Sequence, residues 1–129
     1  MKITADEFPL VRMDYSAEPT TPVDSILITI TLLLEKRIPF VFVCTGSPVS
    51  DNNESESIDD RRKISRWMKE NKTAVSSLIK GHIHIMPDDN KRTELESFSV
   101  TFERFWGYPM FPVATEDEAR VRAEALLRG

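Results

Sequence analysis

The sequence predicts a single α/β domain over residues 1–129, built on a mostly parallel four-stranded sheet with the element order βαβαβαβα. Three observations lead there. Pro39-Phe40-Val41-Phe42-Val43-Cys44 is an apolar run without alternation, bounded by Arg37 and by Thr45-Gly46-Ser47-Pro48, the pattern of a central strand covered on both faces. Strand-like stretches alternate with amphipathic stretches long enough to serve as parallel crossovers. The amphipathic stretches are punctuated by capping residues at their starts and glycine at their ends.

Taken in order, Met1 to Glu7 is polar and reads as a lead-in or a short edge strand. Phe8 to Tyr15 alternates in part, with Val11, Met13 and Tyr15 to one side and Leu10, Arg12 and Asp14 to the other, as in a strand with one less buried face. Ser16 to Thr20 is a connector. Thr21-Pro22-Val23-Asp24 opens a helix, with Thr21 as cap, Pro22 at the first helical position and Asp24 where its charge meets unpaired amides. In the body of that element, Val23, Ile26 or Leu27, Ile30, and Leu33 or Leu34 recur at helical spacing, although the β-branched run Ile26 to Leu32 also reads as a buried strand. The start signals, the charged end at Glu35-Lys36-Arg37 and the need for a crossover into Phe40 to Cys44 decide for helix.

Ser50 to Ser57 is an acidic, serine-rich loop, and Ser57 caps a second helix with Asp59 and Asp60 in its first turn. Ile64, Trp67, Met68, Val75, Leu78 and Ile79 form its buried stripe, Arg62, Arg66, Lys69 and Lys72 lie on the other side, and Gly81 ends it. His82-Ile83-His84-Ile85-Met86 alternates strictly, which predicts a strand whose two histidines sit on a half-exposed face with Arg12 and Asp14. After Pro87-Asp88-Asp89-Asn90, Asp89 or Asn90 caps a third helix carrying the stripe Leu95, Phe98, Phe102, Phe105 and Trp106, closed by Gly107. Met110 to Val113 is a short edge strand, because Pro109 and Pro112 lack ladder donors. Thr115-Glu116-Asp117-Glu118 is a capping box for a final helix that packs through Ala119, Ala123, Leu126 and Leu127. Sequential crossovers place the helices on one side of the sheet, or on both sides if the strand order switches.

Composition narrows the partners. A net charge of -4 repels phosphate backbones and argues against nucleic acid. One cysteine excludes an internal disulfide, and with no basic and apolar leader at the start the expectation is a cytoplasmic protein. Ile26 to Leu34 is about half the length of a bilayer span, so no membrane span is expected.

The strand Pro9-Leu10-Val11-Arg12-Met13, the approach Arg37-Ile38-Pro39-Phe40-Val41-Phe42-Val43, the helix opening Arg61-Arg62-Lys63-Ile64-Ser65-Arg66-Trp67-Met68 and the closing Phe111-Pro112-Val113-Ala114-Thr115-Glu116-Asp117-Glu118-Ala119 together resemble small bacterial proteins of the SpoIIAA-like, STAS-related class. The likeness spans nearly the whole chain, through apolar and turn patterns. It implies a STAS-like α/β architecture and a role like that of the anti-sigma-factor antagonists, which bind a partner kinase and carry a phosphorylatable serine in the loop after a central strand. Other proteins of this broad class are linked to lipid binding. By resemblance Ser47 is the regulatory serine, within Thr45-Gly46-Ser47, where the chain departs from the antagonists' Asp-Ser-Ser-Gly pattern. Read from local chemistry alone, those three residues build the turn out of the strand.

The chemistry-bearing residues point away from catalysis. Cys44 at a strand end, with His82 or His84 as base, has the outline of a nucleophile, but no arginine follows at the spacing of a phosphate-binding cysteine loop, and free cysteine is usually core filler. His82 and His84 with Asp88 or Asp89 lack a fixed third ligand, so no metal site is assigned. The carboxylates Asp51, Glu54, Glu56, Asp59 and Asp60 belong to a solvated loop, and four glycines at 46, 81, 107 and 129 build no phosphate cradle. What remains is the basic helix opening Arg61-Arg62-Lys63 with Arg66 and Lys69, which either binds its own acidic loop or offers a cationic strip to an acidic protein surface or anionic lipid headgroups. The resulting expectation is a non-enzymatic regulatory or protein-interaction module without a cofactor. Its recognition edge is residues 45–66, with Thr45, Ser47, Arg62 and Arg66 as the contact residues and a regulatory kinase or other acidic surface as partner. The alternative is a small lipid or apolar-ligand carrier with Ile26 to Leu34 as a movable wall.

Overall fold

The computed structural model describes residues 2–14, 22–46 and 58–128. Its elements are β1 (Lys2–Glu7), β2 (Leu10–Asp14), α1 (Val23–Glu35), β3 (Phe40–Thr45), α2 (Ile58–Leu78), β4 (Ile79–Ile85), α3 (Asp89–Trp106), β5 (Met110–Val113) and α4 (Glu116–Arg128). They form one five-stranded sheet in the sequential order β1-β2-β3-β4-β5. β1 runs antiparallel to β2, and the other neighbours are parallel. The expected α/β class holds, and the expected four strands become five. The added strand is Lys2–Glu7, whose polar residues suit an edge that pairs on one side only, with Ile3 opposite Met13 packing into the core.

β3 occupies the centre of the sheet, and Phe40, Val41, Phe42, Val43 and Cys44 are all buried. Its alternate residues feed two cores. Phe40, Phe42 and Cys44 join Val11, Met13, Ile30, Leu33, Leu34, Val75, Leu95, Phe102 and Tyr108 on the face covered by α1, α2 and α3. Val41 and Val43 join Ile83, Val113, Ala119 and Ala123 on the face covered by α4. The strand order never switches, so the three crossover helices share one face, and α4, which follows the last strand and is not a crossover, closes the other.

The stretch from Ile26 to Leu34 is helical. Leu27, Ile30, Leu33 and Leu34 face the core, and the hydroxyls of Thr29 and Thr31 donate to the carbonyls of Ser25 and Leu27 one turn earlier, which accommodates β-branched residues inside a helix. Thr31 Oγ1 also accepts from Trp67 Nε1 at 2.8 Å, tying α1 to α2. Pro22 stands at the N-cap rather than the first helical position, and the proposed cap Thr21 lies outside the described residues, as do Tyr15, the Ser16–Thr20 connector and the Ser57 cap.

Gly81 does not stop α2. The helix ends at Leu78 and passes directly into β4, where a Cβ on Gly81 would meet Leu126 Cδ1 at 2.9 Å and Phe111 Cε2 at 3.1 Å. The glycine is there to let α4 approach the sheet. Gly81→Val is therefore expected to cost about 1–3 kcal/mol by overpacking this contact, read as a lower urea midpoint; an unchanged midpoint would place α4 away from β4.

Asp88 rather than Asp89 or Asn90 caps α3, its carboxylate accepting from the Lys91 amide at 3.0 Å, and Gly107 ends the helix at φ 83°. Of the expected stripe, Leu95 and Phe102 are buried and Trp106 is half-buried, whereas Phe98 and Phe105 are on the exposed flank. β5 is the edge strand expected from its prolines. Thr115 caps α4 as expected, its Oγ1 accepting from the Glu118 amide, while the Glu118 carboxylate accepts from the Ala114 amide, one residue before the cap position that a capping box uses.

Candidate functional site

The carboxyl ends of the parallel strands are where open α/β sheets receive their ligands. Two features bear on that end: the described part of the recognition edge expected from the sequence, and a polar cluster on β3 and β4.

Of the four expected contact residues, Thr45 is the half-buried end of β3, and Arg62 and Arg66 are exposed near the start of α2. Ser47 and the acids at 51, 54 and 56 lie outside the described residues. Lys63 is committed to Asp24 of α1 at 3.0 Å, while among the described residues Arg62 and Arg66 have no ion-pair partner. Arg66 borders an open groove of about 330 Å³ between α1 and α2, lined also by Asp24, Leu27, Ile28, Thr31 and Trp67.

Toward the end of β3, the register of β3 against β4 sets Phe42 beside His82 and Cys44 beside His84. Because residues two apart on a strand share a face, Cys44, His82 and His84 all point to the same side, the one covered by α1, α2 and α3. This corrects the expected placement of the histidines. They are fully covered, at 1% and 0% exposure, and Arg12 lies on the other face, reaching Glu116 of α4 at 2.8 Å. The alternation of His and Ile along β4 reflects two covered faces of different chemistry rather than one covered and one wet.

The cluster is a continuous chain of contacts. Cys44 Sγ lies 3.6 Å from His82 Nδ1, His82 Nε2 lies 3.4 Å from His84 Nδ1, and His84 Nε2 lies 2.5 Å from the Gly46 carbonyl oxygen. A carbonyl only accepts, so His84 Nε2 carries a proton and donates to it. With both rings neutral, His84 Nδ1 then accepts from His82 Nε2–H, and His82 Nδ1 accepts from the Cys44 thiol. One carbonyl thereby assigns both tautomers and directs every donor from the thiol toward the strand end.

Electrostatics favour that neutral state. Burial lowers the His82 pKa to about 3, with the nearby His84 adding to the shift. Burial also lowers His84, opposed by its bond to Gly46, and it pushes the Cys44 thiol well above its ordinary value. The His82 ring is wedged against Phe102, with centroids 4.8 Å apart, which fixes its plane. A protonated, enclosed thiol is a poor nucleophile. Cys44 and His82 are adjacent, as the nucleophile-and-base outline requires, but their environment opposes thiolate formation.

The carboxylates proposed to accompany the histidines stand elsewhere in function. Asp88 caps α3, and Asp89 pairs with Arg92. Cys44 takes the place assigned to them. The sequence signal for it was the central strand itself: a fully buried strand next to the His-Ile-His strand must present alternate residues to one of the histidine strand's faces, and Cys44 falls at the matching register. Among the described residues, no helix is long and apolar enough to cross a membrane. No protein-family model, curated protein or solved structure matches this chain.

Proposed function

We propose that the protein is a non-enzymatic binding module that recognises an acidic surface of another protein through the start of α2 and the adjoining carboxyl edge of the sheet. The observation that carries this reading is the pair Arg62 and Arg66, exposed two positive charges strong and without an ion-pair partner among the described residues, beside a Lys63 already neutralised by Asp24. Exposed positive charge at the start of α2, on a protein of net charge -4, attracts acidic partners locally while the molecule as a whole repels polyanions. The SpoIIAA-like, STAS-related resemblance supplies the finer form of the proposal, a regulatory kinase as partner and Ser47 as its phosphorylation site. The sequential strand order and the parallel core of the sheet support an architecture of that kind.

The carrier alternative has less behind it. Leu27, Ile30, Leu33 and Leu34 pack into the core, and the groove at α1 is an open furrow on its outer side with charged walls. Those features suit a fixed wall rather than a movable one.

Arg62→Glu/Arg66→Glu is compared with Lys91→Glu/Arg120→Glu, which takes the net charge from -4 to -8 equally but on other helices. In quantitative capture from native lysate, the α2 pair is expected to lose at least about tenfold of the recovered partner, with the control retaining it. Equal recovery by both variants would move the interaction away from α2, and recovery of lipid in place of protein would favour the carrier.

A further inference from the structure

We propose that Cys44, His82 and His84 form a binding site for a single zinc-class transition-metal ion at the carboxyl end of β3 and β4. One ligand atom from each residue, the sulfur and one nitrogen of each ring, lies within 4.8 Å of the other two. A tetrahedral ion with bonds of about 2.3 Å to sulfur and about 2.0–2.1 Å to nitrogen sets its ligand atoms about 3.3–3.6 Å apart. The Cys44 Sγ to His82 Nδ1 distance of 3.6 Å already has that span. The widest separation, within 4.8 Å, exceeds that span by about 1 Å, which a shift of the His84 ring closes while His82 stays against Phe102.

The surroundings meet the further requirements of such a site. A ligating histidine commonly donates its second ring N–H to a carbonyl, which fixes its tautomer and orients its free nitrogen. His84 does so already through Nε2 to the Gly46 oxygen, leaving Nδ1 for the ion. A thiolate with two imidazoles suits zinc or copper better than magnesium or calcium, which prefer oxygen. The ligands come from two adjacent strands whose register is set by backbone pairing, so the triangle is built on rigid elements. The entry path is short, because the neighbouring Thr45 and Gly46 are only half-buried. On binding, the Cys44 S–H bond breaks, its proton passes to solvent, its electron pair forms the metal–sulfur bond, and the two rings enter neutral. No change of oxidation state is involved. The proposal is independent of the basic face on α2.

The chain contains one cysteine and two histidines, which makes the test unambiguous in the unaltered protein. The full-length chain, stripped with chelator and kept reduced with a phosphine, is titrated with cobalt(II) and then with zinc. The expected result is saturation at one equivalent, with a sulfur-to-cobalt charge-transfer band, visible absorption of tetrahedral strength, loss of both on adding zinc, and zinc-dependent shifts of both histidine ring signals in slow exchange. Cys44→Ala, which keeps a small apolar group in place, is expected to lose the charge-transfer band. Absence of that band in the parent protein, or cobalt binding that leaves the histidine signals unmoved, would overturn the site and leave the cluster as a hydrogen-bonded chain only.

Discussion

Phe102→Ala is expected to lower the unfolding free energy by about 3–5 kcal/mol, which is a large part of the whole for a domain of this size. Phe102 is the pivot of the face covered by α1, α2 and α3. It is 6% exposed, and its ring meets His82 at 4.8 Å, Tyr108 at 5.5 Å and Trp106 at 6.1 Å between centroids. Truncation removes the transfer free energy of the ring and leaves a void between aromatic groups anchored on β4, α3 and the α3–β5 turn, which cannot all move inward together. A urea melt with unchanged slope and a lower midpoint is the expected signature. A loss under about 1 kcal/mol would mean that α3 does not cover His82.

The second large effect is acid sensitivity in the range where histidines titrate. Taking the chelator-treated protein from about pH 7.5 to about pH 5.5 is expected to cost about 1.4 kcal/mol through His82 alone. His82 falls to about 3 in the folded chain, against about 6.5 when unfolded, so across this interval the unfolded chain takes up a proton that the folded chain refuses. A lowered folded value means that the contribution is fully present above the unfolded pKa and is lost as the pH falls toward the folded one. His84 is displaced in the same direction and adds to the slope. Cys44 acts with the opposite sign, its raised value giving stability that is present below the unfolded thiol pKa and is lost as the pH rises above it. Urea midpoints across the interval measure the effect. A flat profile, or ring protons titrating near 6.5 in the folded protein, would show that the histidines are solvated.

The fold was legible wherever one residue type leaves one conformational option. The unalternating run of β3, the αL glycine after α3, the Thr115 cap of α4, and Pro109 and Pro112 before and within β5 each report a local constraint that tertiary packing does not reverse. The misreadings come from positions where the same residues serve two purposes. Gly81 looks like a helix stop because glycine ends helices, yet its lack of Cβ serves the approach of Leu126. Met1 to Glu7 reads as either a lead-in or a short edge strand, and so falls outside the strand count, because a polar stretch carries little periodicity; the edge strand is what forms. His82 and His84 look solvent-facing because they alternate with isoleucines, and only pairing to β3 and the hydrogen-bond partners Cys44 and Gly46 reconcile two imidazoles with a covered face. Cys44 itself was read as core filler; its burial agrees with that reading, but its proximity to two rings depends on strand register, which no single stretch of sequence contains.

The position of α4 bears on how the chain is made. Every strand is translated before α4, and the three crossover helices can settle on their face of the sheet as soon as β5 has paired. During that interval Val41, Val43, Ile83 and Val113 face water on the other side. Until α4 docks on that face, the sheet carries an uncovered aliphatic plate of the kind chaperones bind.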